Sequence, residues 1–273
     1  MKRQGIYIIH FCFFVFTATC SFSQGDSSFY LDKTIKIDAV DFTVDNLGNI
    51  YLLSSGNQLK KINSDGAQVA IFNDVKRYGK LFSIDVTNSL KILLYYKTFS
   101  TVVVLDRFLN MQNTIDLRLQ NIFFVKAIAQ SFDNNLWVFD EQDAKLKKVG
   151  EDGKLLNETV DFRLLFDTTP SPSQIFDRDR FVYLYDSSKG MFIFDYYGAL
   201  KNNLPYRGLK NVQVIGKTIF GIRDNQFFSY TLGDIQEKLF SLPVKEEETQ
   251  KIVISPSGLY TLYNNELRIY RFR

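Results

Sequence analysis

Asp45-Asn46-Leu47-Gly48-Asn49-Ile50-Tyr51-Leu52 joins a polar turn to an apolar strand, and the pairing recurs along the chain. Asp, Asn and Gly tolerate the positive φ of a tight hairpin, while Ile-Tyr-Leu has the β-branched and aromatic character of a packed strand. After Tyr51 the chain turns near Gly56, runs from Leu59 to Ile62 and reaches a second hairpin at Asn63-Ser64-Asp65-Gly66. A second copy reads Asp133-Asn134-Asn135-Leu136-Trp137, then Leu146 to Val149 and Glu151-Asp152-Gly153. A third places Phe181-Val182-Tyr183 before Met191 to Phe194 and closes on Asp195-Tyr196-Tyr197-Gly198. From aromatic to closing glycine is 15, 16 and 15 residues (Tyr51 to Gly66, Trp137 to Gly153, Tyr183 to Gly198), so one structural unit is repeated.

Weaker copies fill the gaps. Leu93, Phe220 and Tyr260 stand where the aromatic stands elsewhere, and the anchors 51, 93, 137, 183, 220 and 260 are spaced by 42, 44, 46, 37 and 40 residues. Short strands of Ile, Val, Phe and Tyr run throughout, without the 3.6-residue stripes of amphipathic helices. Four strands per roughly 40–50 residues is the period of a β-propeller blade. The fold expected is therefore all-β, one six-bladed propeller over residues 24–273. Seven blades is the alternative count, because the second, fifth and sixth copies are degenerate. The last copy ends one strand short, and the strand-like stretch Phe29 to Ile37 precedes the first complete one. That N-terminal strand is expected to close the last blade, where an open edge would otherwise remain.

D-N-L-G-N-I-Y (45–51), its echo D-N-N-L-W-V-F (133–139) and S-P-S-G-L-Y (255–260) resemble the six-bladed propellers of the NHL and gluconolactonase-like superfamily. The resemblance spans essentially all of residues 24–273. It implies the fold and leaves function open, because the shared motifs are turn chemistry.

Residues 1–23 read as a signal peptide. Lys2 and Arg3 form a positive start, Ile6 to Val15 an apolar stretch, and Ser21-Phe22-Ser23 before Gln24 suits cleavage between Ser23 and Gln24. Gly5 to Cys20 is 16 residues, short of the roughly 20 a spanning helix needs, so no transmembrane segment is expected after cleavage. Lipidation of Cys20 is the alternative processing, although Thr19 departs from the small residue that such signals carry before the cysteine. Either route exports the chain, and its cysteine-free remainder fits a bacterial periplasm or cell envelope.

The only histidine, His10, and both cysteines, Cys12 and Cys20, fall inside that leader. Residues 24–273 thus lack the side chains for Ser-His-Asp or Cys-His catalysis, Cys/His zinc sites, His-ligated haem and disulfides. Of 33 Lys+Arg against 30 Asp+Glu, Lys2 and Arg3 leave with the leader, so the remainder is near neutral and carries no overall electrostatic footprint for nucleic acid.

What chemistry remains belongs to carboxylates. Asp45 and Asp133 sit in hairpin turns, where Asp is selected for local hydrogen bonds, and no calcium-loop spacing surrounds them. Inner strands are expected near 39–44, 82–86, 126–130, 173–177, 212–215 and 252–255. Asp41, Asp85 and Asp177 on them are the candidates to converge on the axis and hold a hard divalent cation such as calcium. No cofactor is otherwise expected. Tyr95-Tyr96, Tyr196-Tyr197 and Phe227-Phe228 would each split between two faces of a strand, one ring packing between blades. An excess of exposed aromatics on one rim would mark a partner surface.

The expected role is a non-enzymatic module that binds a protein, namely an outer-membrane protein or complex. Fold and compartment together point to a subunit of an outer-membrane assembly or secretion machine, such as a periplasmic plug of a type 9-like translocon. The alternatives are a metal-dependent lactonase-like hydrolase and a small-ligand or glycan-binding propeller.

Overall fold

The computed structural model describes residues 29–73 and 75–272. The expected leader, its expected cleavage pair Ser23 and Gln24, and Cys20 lie outside the described residues. Within them, six four-stranded antiparallel sheets form the blades of a propeller. The inner strands are Asp41–Val44, Ser83–Asn88, Val125–Gln130, Gln174–Arg178, Lys210–Ile215 and Lys251–Ser255. Six is therefore the blade count and seven is not.

Every anchor falls on the second strand of its blade, opposite Thr43, Asp85, Ala129, Phe176, Gln213 and Val253 of the inner strands. Because side chains alternate along a strand, residues in phase with the anchor face the following blade and those out of phase face the preceding one. Tyr51 and Leu53 of blade 1 accordingly meet Ile92, Leu94 and Tyr96 of blade 2. Leu93 and Tyr95 of blade 2 meet Leu136 and Val138 of blade 3. Both tyrosines of the pair Tyr95-Tyr96 are buried, one in each interface, and Phe227 and Phe228 divide in the same way. Tyr196 is half-buried and Tyr197 is exposed.

The ring closes as expected. Phe29–Lys36 pairs antiparallel with Glu266–Phe272 and supplies the outer strand of the sixth blade. Phe42, Ile50 and Leu52 of blade 1 pack on Val253, Tyr260 and Leu262 of blade 6, completing a circle of six interfaces. Only Phe29 of the closing strand is deeply buried, with its ring 5.3 Å from Phe227 of blade 5 and 4.9 Å from Phe272.

Turn chemistry explains the repeat. Asp45 Oδ1 accepts the N–H groups of Leu47 and Asn49 at 2.9 Å each, and Gly48 takes φ 80°. Asn63, Asp106 and Asp195 hold the N–H groups two and four residues on in the same way. In blade 2 the glycine's place is taken by Leu109 at φ 63°, whose side chain is buried between blades 1 and 2. That substitution is why this copy looked degenerate: packing replaces glycine's conformational freedom.

The disc has two faces. One carries the hairpins from first to second and from third to fourth strands; the other carries the second-to-third hairpins and the connectors between blades. They are called here the hairpin face and the connector face.

Candidate functional site

The three channel aspartates are not brought together. Asp41 pairs across the register with Leu53, two residues after the anchor, whereas Asp85 pairs with the anchor Leu93 itself. Asp177 pairs with Val182, one residue before its anchor, so it sits at another height and on the opposite side of its blade. Each is also engaged. Asp41 accepts from its neighbour Phe42 N–H at 2.8 Å and forms an ion pair with Lys251 of blade 6. Asp85 accepts from Thr87 N–H at 2.8 Å and, across the blade boundary, from Gln130 N–H at 2.7 Å. Among the described residues no group of three or more His, Cys, Asp or Glu is arranged to hold a metal ion.

Asp177 is the organising carboxylate of the boundary between blades 3 and 4. It is 6% exposed, and its Oδ2 accepts from Trp137 Nε1 at 2.8 Å, Ser131 Oγ at 2.9 Å and Phe132 N–H at 3.2 Å. Its Oδ1 accepts from the Tyr196 hydroxyl at 2.6 Å. Burial, then the bond to the Asp177 carboxylate, pushes the Tyr196 phenol well above its ordinary value. Beside this bracket, Lys148 Nζ lies 5.0 Å from the Trp137 ring centre, 5.4 Å from Phe132 and 5.7 Å from Tyr196, and 2.6 Å from Asp133. The chain's own ammonium thus fills an aromatic cage.

The next residue, Arg178, crosses the channel. Its guanidinium donates to Val214 O of blade 5 at 3.1 Å and to Thr87 Oγ1 of blade 2 at 3.2 Å. Blades 2 and 5 stand opposite in a ring of six, so this arm lies over the axis at the hairpin-face end. Toward the connector face, a cavity of about 620 Å³ opens between blades 5 and 6, lined among others by Lys210, Asn211, Arg223, Glu246, Gln250 and Lys251. The acidic run Glu246–Glu248 is a short 3-10 helix, with Glu246 paired to Lys210 at 2.8 Å.

Sequence reasoning missed one surface. On the connector face over blades 2 and 3, Phe82, Phe99, Phe123 and Phe124 are 52%, 42%, 47% and 61% exposed. They form one neighbourhood. Phe82 packs edge-on against Tyr95 with ring centres 5.8 Å apart, Thr101 Oγ1 donates to Phe99 O at 3.0 Å, and Ser100 Oγ donates to Phe123 O at 2.9 Å. Glu141 N–H donates to Phe124 O at 2.8 Å, tying the patch to blade 3. The exposed apolar residues of the hairpin face, Leu47, Leu90, Phe108, Phe132, Tyr197 and Ile235, stand instead on six separate hairpins around the ring. Alternation could not reveal the aromatic surface, because its residues sit in connectors and a turn, outside the strand pattern.

Fold and site together define a six-bladed propeller with an arginine across one end of its channel and an aromatic surface on the opposite face. No protein-family model and no curated protein matches the sequence. Among solved structures, the chain is similar to virginiamycin B lyase from Staphylococcus aureus, with 12% identity, TM-score 0.60, and coverage of 90% of this chain and 100% of the other. The Pan2 WD40 domain of Neurospora crassa gives TM-score 0.57 and 9% identity, over 89% and 95% of the two chains. PorZ, a surface component of the type-IX secretion system of Porphyromonas gingivalis, gives TM-score 0.52 and 12% identity, and the match spans 84% of this chain but only 32% of that one. At such identities the likeness is one of fold.

Proposed function

We propose that this propeller is a non-enzymatic docking module of the bacterial periplasm or cell envelope, exported by its leader, that binds a subunit of an outer-membrane assembly or secretion machine. The observation that carries this is the aromatic surface on the connector face. Four phenylalanines at about half exposure, carried by adjoining connectors and a turn on one face, are the kind of exposed apolar surface that marks interaction sites. The likeness to PorZ favours a secretion machine, such as a type 9-like translocon, as the place of work.

The likeness to the lyase is one of fold alone. A form of that enzyme with one histidine replaced by alanine is described as catalytically inactive. The sole histidine of this chain is His10, in the proposed leader. A lactonase-like hydrolase would need a cation, and Asp41, Asp85 and Asp177 are separately engaged. A small-ligand reading has one observation in its favour, the polar cavity between blades 5 and 6.

Affinity purification of the tagged protein from native membranes tests the docking reading. One outer-membrane protein should be recovered stoichiometrically, and Phe124→Asp should abolish its recovery. Purification of the propeller alone from solubilised membranes would count against the reading.

A further inference from the structure

We infer that the aromatic surface over blades 2 and 3 takes a protein segment of acidic character, an apolar stretch flanked by Asp or Glu. This deepens the docking reading and rests on it. The backbone segments that build the surface, 73–82, 97–100 and 117–124, contain five basic residues, Lys76, Arg77, Lys80, Lys97 and Arg118, against one acidic residue, Asp74. The near-neutral chain is therefore segregated in charge, with cations collected where the apolar rings are. Most charged side chains elsewhere on the disc are consumed in ion pairs, such as Lys210 with Glu246 and Lys251 with Asp41. Here Arg118 is held by Asp116 at 2.7 Å. Neither Lys80 nor Lys97 lies within ion-pair distance of a carboxylate among the described residues, and Lys97 Nζ stands 5.0 Å above the ring of Phe82.

Lys97 feels the Glu141 carboxylate only at longer range, so its ammonium over an exposed ring leaves room for a carboxylate beside an apolar group. The ring contributes buried area, and the cation supplies steering and register. A membrane surface would share this charge preference. The rings, however, are only about half exposed, and the carbonyls of Phe99, Phe123 and Phe124 are held by hydrogen bonds; that suits burial against protein better than insertion among acyl chains.

Site-specific photocrosslinking in the native cells separates the outcomes. p-Benzoylphenylalanine is placed at Phe99 or Phe124 on the connector face and at Leu47 or Ile235 on the hairpin face. The expected result is an adduct from both connector-face positions to the same protein, through a peptide with a surplus of Asp and Glu. Lys80→Glu with Lys97→Glu should lower the Phe124 adduct about tenfold. Lys80→Gln with Lys97→Gln should lower it by a smaller factor, which guards against misfolding of the charge reversal. Adducts from the hairpin face alone would overturn the inference and leave protein docking intact. A lipid adduct at Phe124, a peptide without acidic surplus, or indifference to both lysine pairs would each overturn it too. No protein adduct from any of the four positions would overturn the docking reading with it.

Discussion

Asp177 shows how far one residue's role depends on register. In the sequence it is a carboxylate on an inner strand, indistinguishable in kind from Asp41 and Asp85. Its placement out of phase with the anchor turns it toward blade 3, where four donors from two blades converge on it. Asp177→Ala would leave the buried Trp137 N–H and the half-buried Tyr196 hydroxyl without their acceptor, costing about 3–5 kcal/mol. Asp177→Asn keeps the shape and one accepting oxygen and should cost about 1–2 kcal/mol. Urea midpoints followed by fluorescence of Trp137, the only tryptophan, measure both; equal small losses would refute the bracket. Tyrosines give the matching pH test. Burial pushes the phenols of Tyr95 and Tyr185 up to about 12, and the Tyr185 hydroxyl donates to Leu209 O of the next blade at 2.9 Å. A raised folded value means that the stability is fully present below the ordinary tyrosine value of about 10 and is lost as pH rises through about 12. In that window each buried phenol removes about 1.4 kcal/mol per pH unit. Tyr185→Phe should flatten the slope measured by urea unfolding, and an unchanged slope would contradict the assignment.

At the scale of elements, the blades with glycine hairpins were legible and the closing strand was legible by elimination. Asp45 and Asn63 announce their turns because the side chain that holds the hairpin lies within four residues of the backbone it holds. Blade 2 was obscured by Leu109, whose positive φ is sustained by contacts with another blade that no local pattern encodes. Blade 5 turns on Asp224-Asn225, a left-handed pair without glycine, and a bulge between Lys210 and Gln213 breaks its alternation. The closing strand binds mainly through its backbone ladder and one deep contact, since most of its side chains are exposed. Phe29→Ala removes the ring that meets Phe227 and Phe272 and should cost about 3–5 kcal/mol. Deleting residues 24–36 exposes the third strand of blade 6 and should lower the melting of the whole ring as one transition. Differential scanning calorimetry distinguishes this from a frayed tail, which would leave the main transition where it was.

For the whole molecule, the distribution of charge governs what the propeller can bind. Composition alone excluded histidine and cysteine chemistry from residues 24–273 and left a carboxylate-held cation as the remaining catalytic device. Whether such a device assembles depends on a closed ring, in which height, phase and neighbouring blade must agree for three aspartates at once. They do not agree. Asp41 is committed to Lys251, Asp85 to the Gln130 amide and Asp177 to its four donors, while Arg178 brings a fixed positive charge over the axis. A divalent ion in this channel would have to displace those partners and sit near a guanidinium, both unfavourable for a hard cation. Melting temperature is the sensitive readout. A ligand at 100 times its dissociation constant stabilises by about 2.7 kcal/mol, and for a domain of this size each kcal/mol moves the midpoint by about 2–4 °C. Millimolar calcium and millimolar chelator should therefore give the same melting curve, and Asp41→Asn should leave that equality unchanged. A calcium-dependent rise of several degrees that Asp41→Asn or Asp85→Asn removes would place a cation in the channel and reopen the hydrolase reading.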